Sequence, residues 1–277
     1  MKKKTKQTLC GLIDRSGKVL AGRSRLIGSR YYTGSDFLAS AQGITNDGTY
    51  YYCTGTVIAL KFNGLSKINM KTGEVVLKKE RYLPEPLASQ GFNHYGGCTC
   101  FENKIYTAVE DKDRAHPCIA VFSAETLEFT GLYRILGPEI QPNGNLPWCA
   151  ADKENRLLYT GYFDHCDHIN ALNIDTLEFI RHIPISRVVE HTQGGEMWNG
   201  LIYISCHDTW RRKHVYSIDP ATGETRLVME RDAGKNIVES EGITVCPMDD
   251  GSFFHQLDVL YPATLSIRRY SAEQTGT

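Results

Sequence analysis

The chain has 277 residues, 41% hydrophobic and 23% charged, with a formal net charge of −1. This is ordinary globular composition, and an all-β chain of this size forms one body, so residues 1–277 read as a single domain. A near-neutral surface excludes a global pull toward nucleic acid or an anionic membrane.

The chain opens Met-Lys-Lys-Lys-Thr-Lys, like the basic start of a signal peptide, but only Leu9 to Ile13 follow before Asp14 and Arg15. That apolar run is too short for export, and no run of about eighteen apolar residues offers a membrane span. Nine cysteines without paired spacing fit a reducing compartment, with Cys98, Cys100, Cys149 and Cys246 as small core residues of strands. The expected location is cytoplasmic.

From Ala41 onward one pattern recurs. AQGITNDGTYYYCT from Ala41, HYGGCTCFENKIYTA from His94, LPWCAADKENRLLYT from Leu146, TQGGEMWNGLIYIS from Thr192 and SEGITVCPMDDGSFFHQ from Ser240 each follow a glycine-rich or small-residue turn and join two short apolar runs by a polar turn. Tyr51, Tyr106, Tyr159 and Tyr203, with Phe253, align as the aromatic opening the second run. A second echo, such as LSKINMKTGEVV and VYSIDPATGETR, aligns on Thr72, Thr126, Thr176 and Thr222, spaced 54, 50 and 46 residues apart. Four short strands per unit of this length mark a propeller blade, because a small sheet buries its faces only by stacking on others. Thr72-Gly73, Thr222-Gly223 and Asn199-Gly200 supply turns, and no helix-period run stands out.

The expected fold is therefore an all-β, five-bladed β-propeller with blades starting near 41, 94, 146, 192 and 240. The last unit, LSIRRYSAEQTGT, stops where its outer strand should begin, and residues 1–38 form an N-terminal closing segment. GLIDRSGKVL resembles the SIDPATGETR echo, which predicts Lys18, Val19 and Leu20 beside the strand containing Ile267 and removes two open sheet edges.

In such a ring, chemistry gathers at one end of the axis. Five residues beyond each second-strand aromatic stand Thr56, Asp111, Asp164, Asp208 and Asp258, preceded in two units by Glu110 and His207. These aspartates either shape turns through backbone N–H groups or form a hard-cation or acid/base site. The first strands begin with Gln42, His94 and Tyr95, Trp148, Gln193 and Glu241, a set that varies between units as an asymmetric ligand requires. Glu241, the one carboxylate among them, is the first choice for general base or metal ligand; the other reading has Gln42, Gln193 and Glu241 hydrogen-bonding one another and water. Asp164, His165, Asp167 and His168 crowd one loop, where His-x-x-His suits zinc or iron, or is simply solvated. His207 and His255 approach the same rim in this reading. The stretch from His207 to His214, with Trp210, Arg211, Arg212 and Lys213, suits an anionic or sugar ligand or is a solvated basic loop. No zinc Cys-x-x-Cys pair, phosphate loop, nucleophile elbow or dinucleotide fingerprint occurs, so no nucleotide cofactor is expected.

EGITV from Glu241, DPATGE from Asp219 and the fivefold unit resemble the propellers grouped with the gluconolactonase and senescence-marker, strictosidine-synthase-like and YncE-like proteins. The resemblance implies a funnel over a central channel and a calcium or other divalent ion, with Glu241 carried over as ligand. AQGITNDGTYYYCTG and TQGGEMWNGLIYI also resemble the Thr-Gln-Gly-Leu blade starts of the five-bladed plant and bacterial glutaminyl cyclases, whose acidic catalytic motif is not evident here.

The expected function is a small-molecule hydrolase or lyase assisted by a divalent cation (Ca, Mg, Mn or Zn). Glu241, His207 and Asp164 act in catalysis, Glu241, Asp164, His165 and His168 as metal ligands, and Gln42, His94, Tyr95, Trp148, Gln193 and His255 in ligand binding, with Tyr95 and Trp148 as the apolar wall. The alternatives are a non-catalytic propeller that binds a small polar ligand or a partner protein, and a glutaminyl-cyclase-like acyltransferase.

Overall fold

The computed structural model describes residues 22–142, 144–207, 212–232 and 237–272. Strand β1 (Gly22–Tyr32) is followed by four antiparallel sheets in chain order. Blade one holds β2 (Gly43–Asn46), β3 (Tyr50–Val57), β4 (Phe62–Asn69) and β5 (Val75–Glu80), and blade two β6 (Phe92–Phe101), β7 (Lys104–Asp111), β8 (Cys118–Ser123) and β9 (Phe129–Ile135). Blade three holds β10 (Cys149–Asp152), β11 (Leu157–Thr160), β12 (Cys166–Asn173) and β13 (Phe179–Val189). Blade four holds β14 (Thr192–Trp198), β15 (Leu201–His207), β16 (Arg212–Ile218) and β17 (Thr225–Asp232). Blade five has β18 (Ile237–Val245), β19 (Phe254–Leu260) and β20 (Thr264–Ala272), and β1 pairs with β20 as its outer strand. The chain is a five-bladed β-propeller, and its described helices are the short α-helical segments Gly34–Leu38 and Glu85–Ala88 and a 3-10 turn at Ile58–Leu60.

The N-terminal strand closes the ring. The residue opposite Ile267 is Arg30, so the closing register comes from SRLIGSRYY; Lys18, Val19 and Leu20 lie outside the described residues. Beyond β20, the start of β1 runs parallel to β17 of blade four, with Gly22 opposite Met229. At its other end Tyr32 packs with Leu265 and Ile267 and donates its hydroxyl to Gly73 O in blade one. One strand thereby ties blade five to both neighbours and covers an edge that would otherwise template aggregation.

Each pair of neighbouring blades encloses its own apolar core. Tyr106, Tyr159 and Tyr203 each face the following blade, opposite Thr99, Ala150 and Glu196 of the inner strand. The same register puts Tyr52, not Tyr51, at this position in blade one, and His255, not Phe253, in blade five. His255 therefore occupies a core aromatic site rather than the rim. It is fully buried, shares a 2.6 Å hydrogen bond with the Tyr51 hydroxyl, and burial beside Arg269 lowers its pKa to about 3.

The inner strands meet backbone to backbone. Glycines lie within these strands: Gly43, Gly97, Gly194 and Gly242 stand two residues before Thr45, Thr99, Glu196 and Thr244. A Cβ on Gly242 would sit 2.6 Å from Ile44 N of the next blade, and one on Gly194 2.5 Å from Ile243 N. The vacated space is used by peptide bonds between blades, Gly97 N to Pro147 O at 2.7 Å and Gly242 N to Gln42 O at 2.9 Å. Blade three carries Trp148 where the others have glycine, and its indole fills the space beside Gly161 and Gly195 while Nε1 donates to Thr192 Oγ1 at 2.9 Å.

Gly242→Ala should cost about 1–3 kcal/mol, because the added methyl meets backbone that has nowhere to retreat. A urea midpoint unchanged from wild type would show that the hub is not closed in this way.

Candidate functional site

Three residues before the axial positions lie Gln42, Gly96, Pro147, Gln193 and Glu241. The repeated Gly–carbonyl bond confirms this alignment, since Gln42 and Pro147 accept the equivalent bonds. It corrects the ring expected from sequence. Blades two and three put Gly96 and Pro147 there, while Tyr95 and Trp148 are fully buried. Tyr95 donates its hydroxyl to Tyr82 O at 2.8 Å inside the core between blades one and two. Neither ring is an apolar wall for a ligand.

β-Bulges shape the rim. β14 shifts register at Gln193, β18 at Glu241 and Gly242, and β6 at Gly96 and Gly97. An extra residue in a strand re-aims a side chain. In β18 the bulge is held from several sides: Ser205 Oγ and Gln256 Nε2 donate to Glu241 O at 2.9 and 2.7 Å, and Gln256 Nε2 reaches Gly242 O at 3.0 Å.

This geometry gathers a set of charged groups. Glu241, 3% exposed, is hydrogen-bonded to the side chain of half-buried Glu239, and Gln193 Nε2 donates to Glu239 Oε1 at 2.8 Å. Burial, then the Glu239 charge, pushes the Glu241 carboxyl well above the usual carboxylate range. Lys213, 2% exposed on β16, lies within electrostatic reach of both glutamates and stands opposite His207 in the ladder. Burial, reinforced by Arg231, lowers its pKa. Arg231 grips Asp258 through both terminal nitrogens at 3.1 and 3.2 Å, and Ser240 Oγ completes the network at 2.5 Å from Asp258 Oδ1. Glu239 and Arg231 were not anticipated from sequence, and Lys213, expected in a basic loop, is instead a buried residue of β16.

The remaining expected residues go elsewhere. Glu110 is buried at 2%, accepts Leu146 N at 2.6 Å and faces His94 Nδ1 at 3.1 Å, which pins the connection between blades two and three. Asp111 shapes a turn, accepting Ala115 N and contacting His116, while Asp258 sits in its buried ion pair and Thr56 bonds Asn63. Asp208, Trp210 and Arg211 lie outside the described residues. Asp164 Oδ1 lies 3.3 Å from His191 Nε2, and His191 packs edge-on against His207 at 5.0 Å. His165 turns to Glu190, and His168 bonds Asp167 and the Tyr162 hydroxyl. The His-x-x-His pair thus has two different sets of partners and does not converge. Gln42 is half-buried at its rim position.

These placements do not fit a divalent cation. Glu241, Asp164, His165 and His168 each have separate partners, and among the described residues no three His, Cys, Asp or Glu side chains form a metal-holding group. At Glu241 the positive partner within reach is Lys213, and the two carboxyls bond each other instead of presenting a ligand pair.

On the axis, Glu196 accepts hydrogen bonds from Thr45 and Thr244 at 2.9 Å and Thr99 at 3.3 Å, drawn from three other blades. Cys100 N, Ala151 N and Asn46 Nδ2 donate to these same hydroxyls. Each hydroxyl proton is consequently left for Glu196. Burial raises the Glu196 pKa, and the threonines act in the opposite direction.

No protein-family model and no curated protein matches the sequence. Among solved structures, the chain is similar to glutaminyl cyclase of Myxococcus xanthus, with 15% identity, a TM-score of 0.62, and coverage of 92% of this chain and 99% of that one. It is also similar to an engineered GH43 glycoside hydrolase with endo-xylanase and exo-arabinofuranosidase activity, at 12% identity and a TM-score of 0.51, covering 89% of this chain and 55% of that one. Both share the fold. No helix among the described residues is long and apolar enough to cross a membrane.

The Glu241 carboxyl keeps its proton in the fold after the unfolded chain has lost its own near 4.5, so its contribution to stability is present below that pH and is lost as pH rises through the folded value. Glu241→Gln should therefore melt higher than wild type at pH 8, by about 2–4 °C per kcal/mol recovered, and the gap should close toward pH 4. A gap independent of pH between 4 and 9 would mean that Glu241 is ionised in the fold.

Proposed function

We propose that this propeller is an acid–base enzyme acting on a small carbonyl- or amide-bearing molecule at the rim around Glu241. The observation that carries the reading is the hydrogen-bonded Glu239–Glu241 pair, one carboxyl sealed and the other half-exposed, beside buried Lys213. Two carboxyls in contact share a proton, so one is ready to donate while the other is ready to accept. Lys213, an N–H donor of depressed pKa, is suited to stabilise negative charge on a substrate oxygen.

The first substrate class to test is a peptide with N-terminal glutamine, because a glutaminyl cyclase shares this fold over nearly its whole length. In the cyclisation, the substrate α-amine attacks its own side-chain amide carbon. The ionised carboxylate of the pair takes a proton from that amine as the new C–N bond forms. Glu241 gives its proton to the departing nitrogen as the old C–N bond breaks, which releases ammonia and leaves a cyclic amide. The site needs no water for this step, in keeping with its burial.

Purified protein incubated with glutaminyl peptides at pH 8 should release ammonia, with the cyclised peptide visible by mass spectrometry. Glu241→Gln should lower kcat by about 100-fold or more, the range for losing a general acid–base group. Ammonia release equal in wild type and variant would remove Glu241 from the chemistry. A peptide that stabilises the protein thermally but is never turned over would reassign the rim to binding.

A further inference from the structure

A concavity of about 480 Å³ lies between blades three and four. Its walls are the β10–β11, β14–β15 and β16–β17 turns, so it opens on the end of the molecule opposite the first residues of the inner strands. The Glu239–Glu241 pair is at the other end. No part of the proposed acid–base chemistry uses this groove.

Its lining has three properties that together select a ligand. Trp198, 36% exposed, packs edge-on against Phe253 at 6.0 Å, which braces one side of the indole and leaves the rest to face the groove. The charged lining is Asp152, Glu154 and Asp219 against Lys153 and Arg181, nearly balanced. The two aspartates are already engaged: Asp152 accepts Glu154 N and Asn155 N at 3.1 Å, and Asp219 accepts Ala221 N and the Thr222 hydroxyl at 2.9 Å. Among the described residues no carboxylate lies within ion-pair distance of Arg181 or Lys153, so their N–H groups remain available to a ligand.

An anion entering here meets three carboxylates, and a cation meets two bases. A hydrocarbon would strip water from all five without replacing its hydrogen bonds. An uncharged ring bearing several hydroxyls meets every requirement, because each hydroxyl both donates and accepts while the C–H face of a pyranose lies on the indole. The volume is within the range of small-molecule sites. We infer that the groove between blades three and four binds a neutral saccharide of mono- or disaccharide size.

Titration calorimetry with cellobiose, maltose and xylobiose tests the assignment, with tryptophan emission as a second readout, the change assigned to Trp198 rather than to Trp148 or Trp210 by its loss in Trp198→Ala. At least one sugar should bind at concentrations up to about 10 mM and perturb the emission. Trp198→Ala and Arg181→Ala should each weaken binding about tenfold, equivalent to ~1.4 kcal/mol. Arg181 is exposed, so its variant keeps the test valid if the tryptophan variant fails to fold. Glu241→Gln should bind the sugar as wild type does, which separates this site from the proposed acid–base rim. No binding by any of the three sugars, affinity unchanged in both groove variants, or binding lost in Glu241→Gln would each overturn the assignment. Tighter binding of glucose 6-phosphate than of glucose would overturn the argument from charge balance.

Discussion

The structure depends on how closely five inner strands approach one axis. Glycine at the same position in four blades removes the Cβ that would hold neighbouring backbones apart, and the peptide groups so admitted bond directly between blades. Blade three satisfies the constraint differently, with Trp148 in place of glycine and the missing volume supplied by Gly161 and Gly195. Because each blade both donates space to and takes space from a neighbour, the ring is stable only when closed. The β1–β20 pairing performs that closure at the outside while the glycines do so at the centre.

The same crowding puts carboxylates where water is scarce, and their different surroundings give them different roles. Glu196 receives three hydroxyl protons whose orientation is fixed by amide donors on the far side of each threonine. Hydrogen bonds to a charged group contribute about 1.5–3 kcal/mol each; they oppose the cost of burial without outweighing it, so the Glu196 carboxyl stays above its ordinary range. Glu196 and the three threonines are all buried where the inner strands meet. Glu241 has no such hydroxyl ring. Its side-chain neighbour is another carboxyl, and sharing a proton is the available way to avoid two adjacent negative charges.

The blade number, the four-strand unit and closure by an N-terminal strand were legible because alternation, turn glycines and a repeat of about 50 residues all record the same sheet. Register was not. Tyr50, Tyr51 and Tyr52 are consecutive, so composition could not tell which one faces the next blade, and in blade five a histidine takes the aromatic place. The one-residue difference in blade one moves a side chain to the other face, whereas in blade five the aromatic place is two residues on from Phe253, so counting five from Phe253 puts Asp258 in a rim set although it is buried against Arg231. Cations on strands read as surface residues, so Arg231 carries no signal and Lys213 reads as part of a basic loop rather than as a buried strand residue. Glu196 carried a usable signal, since it stands three residues after Gln193 as Thr45 does after Gln42 and Thr244 after Glu241.

Glu241 itself was legible while its partner was not. Residues two apart share a face of a strand, but β18 starts at Ile237, ahead of the blade start read near 240, so Glu239 fell outside the expected strand, and the bulge at Glu241 and Gly242 leaves no compositional mark. Once formed, this bulge is restrained by Ser205 from blade four, Gln256 from blade five and the Gly242–Gln42 bond to blade one. A side chain whose backbone is held by three blades cannot relax away from an unfavourable neighbour without opening the ring. The strain of placing two carboxyls together is therefore borne by the cooperative closure of the whole propeller, which is what lets a buried, proton-sharing pair persist at its rim.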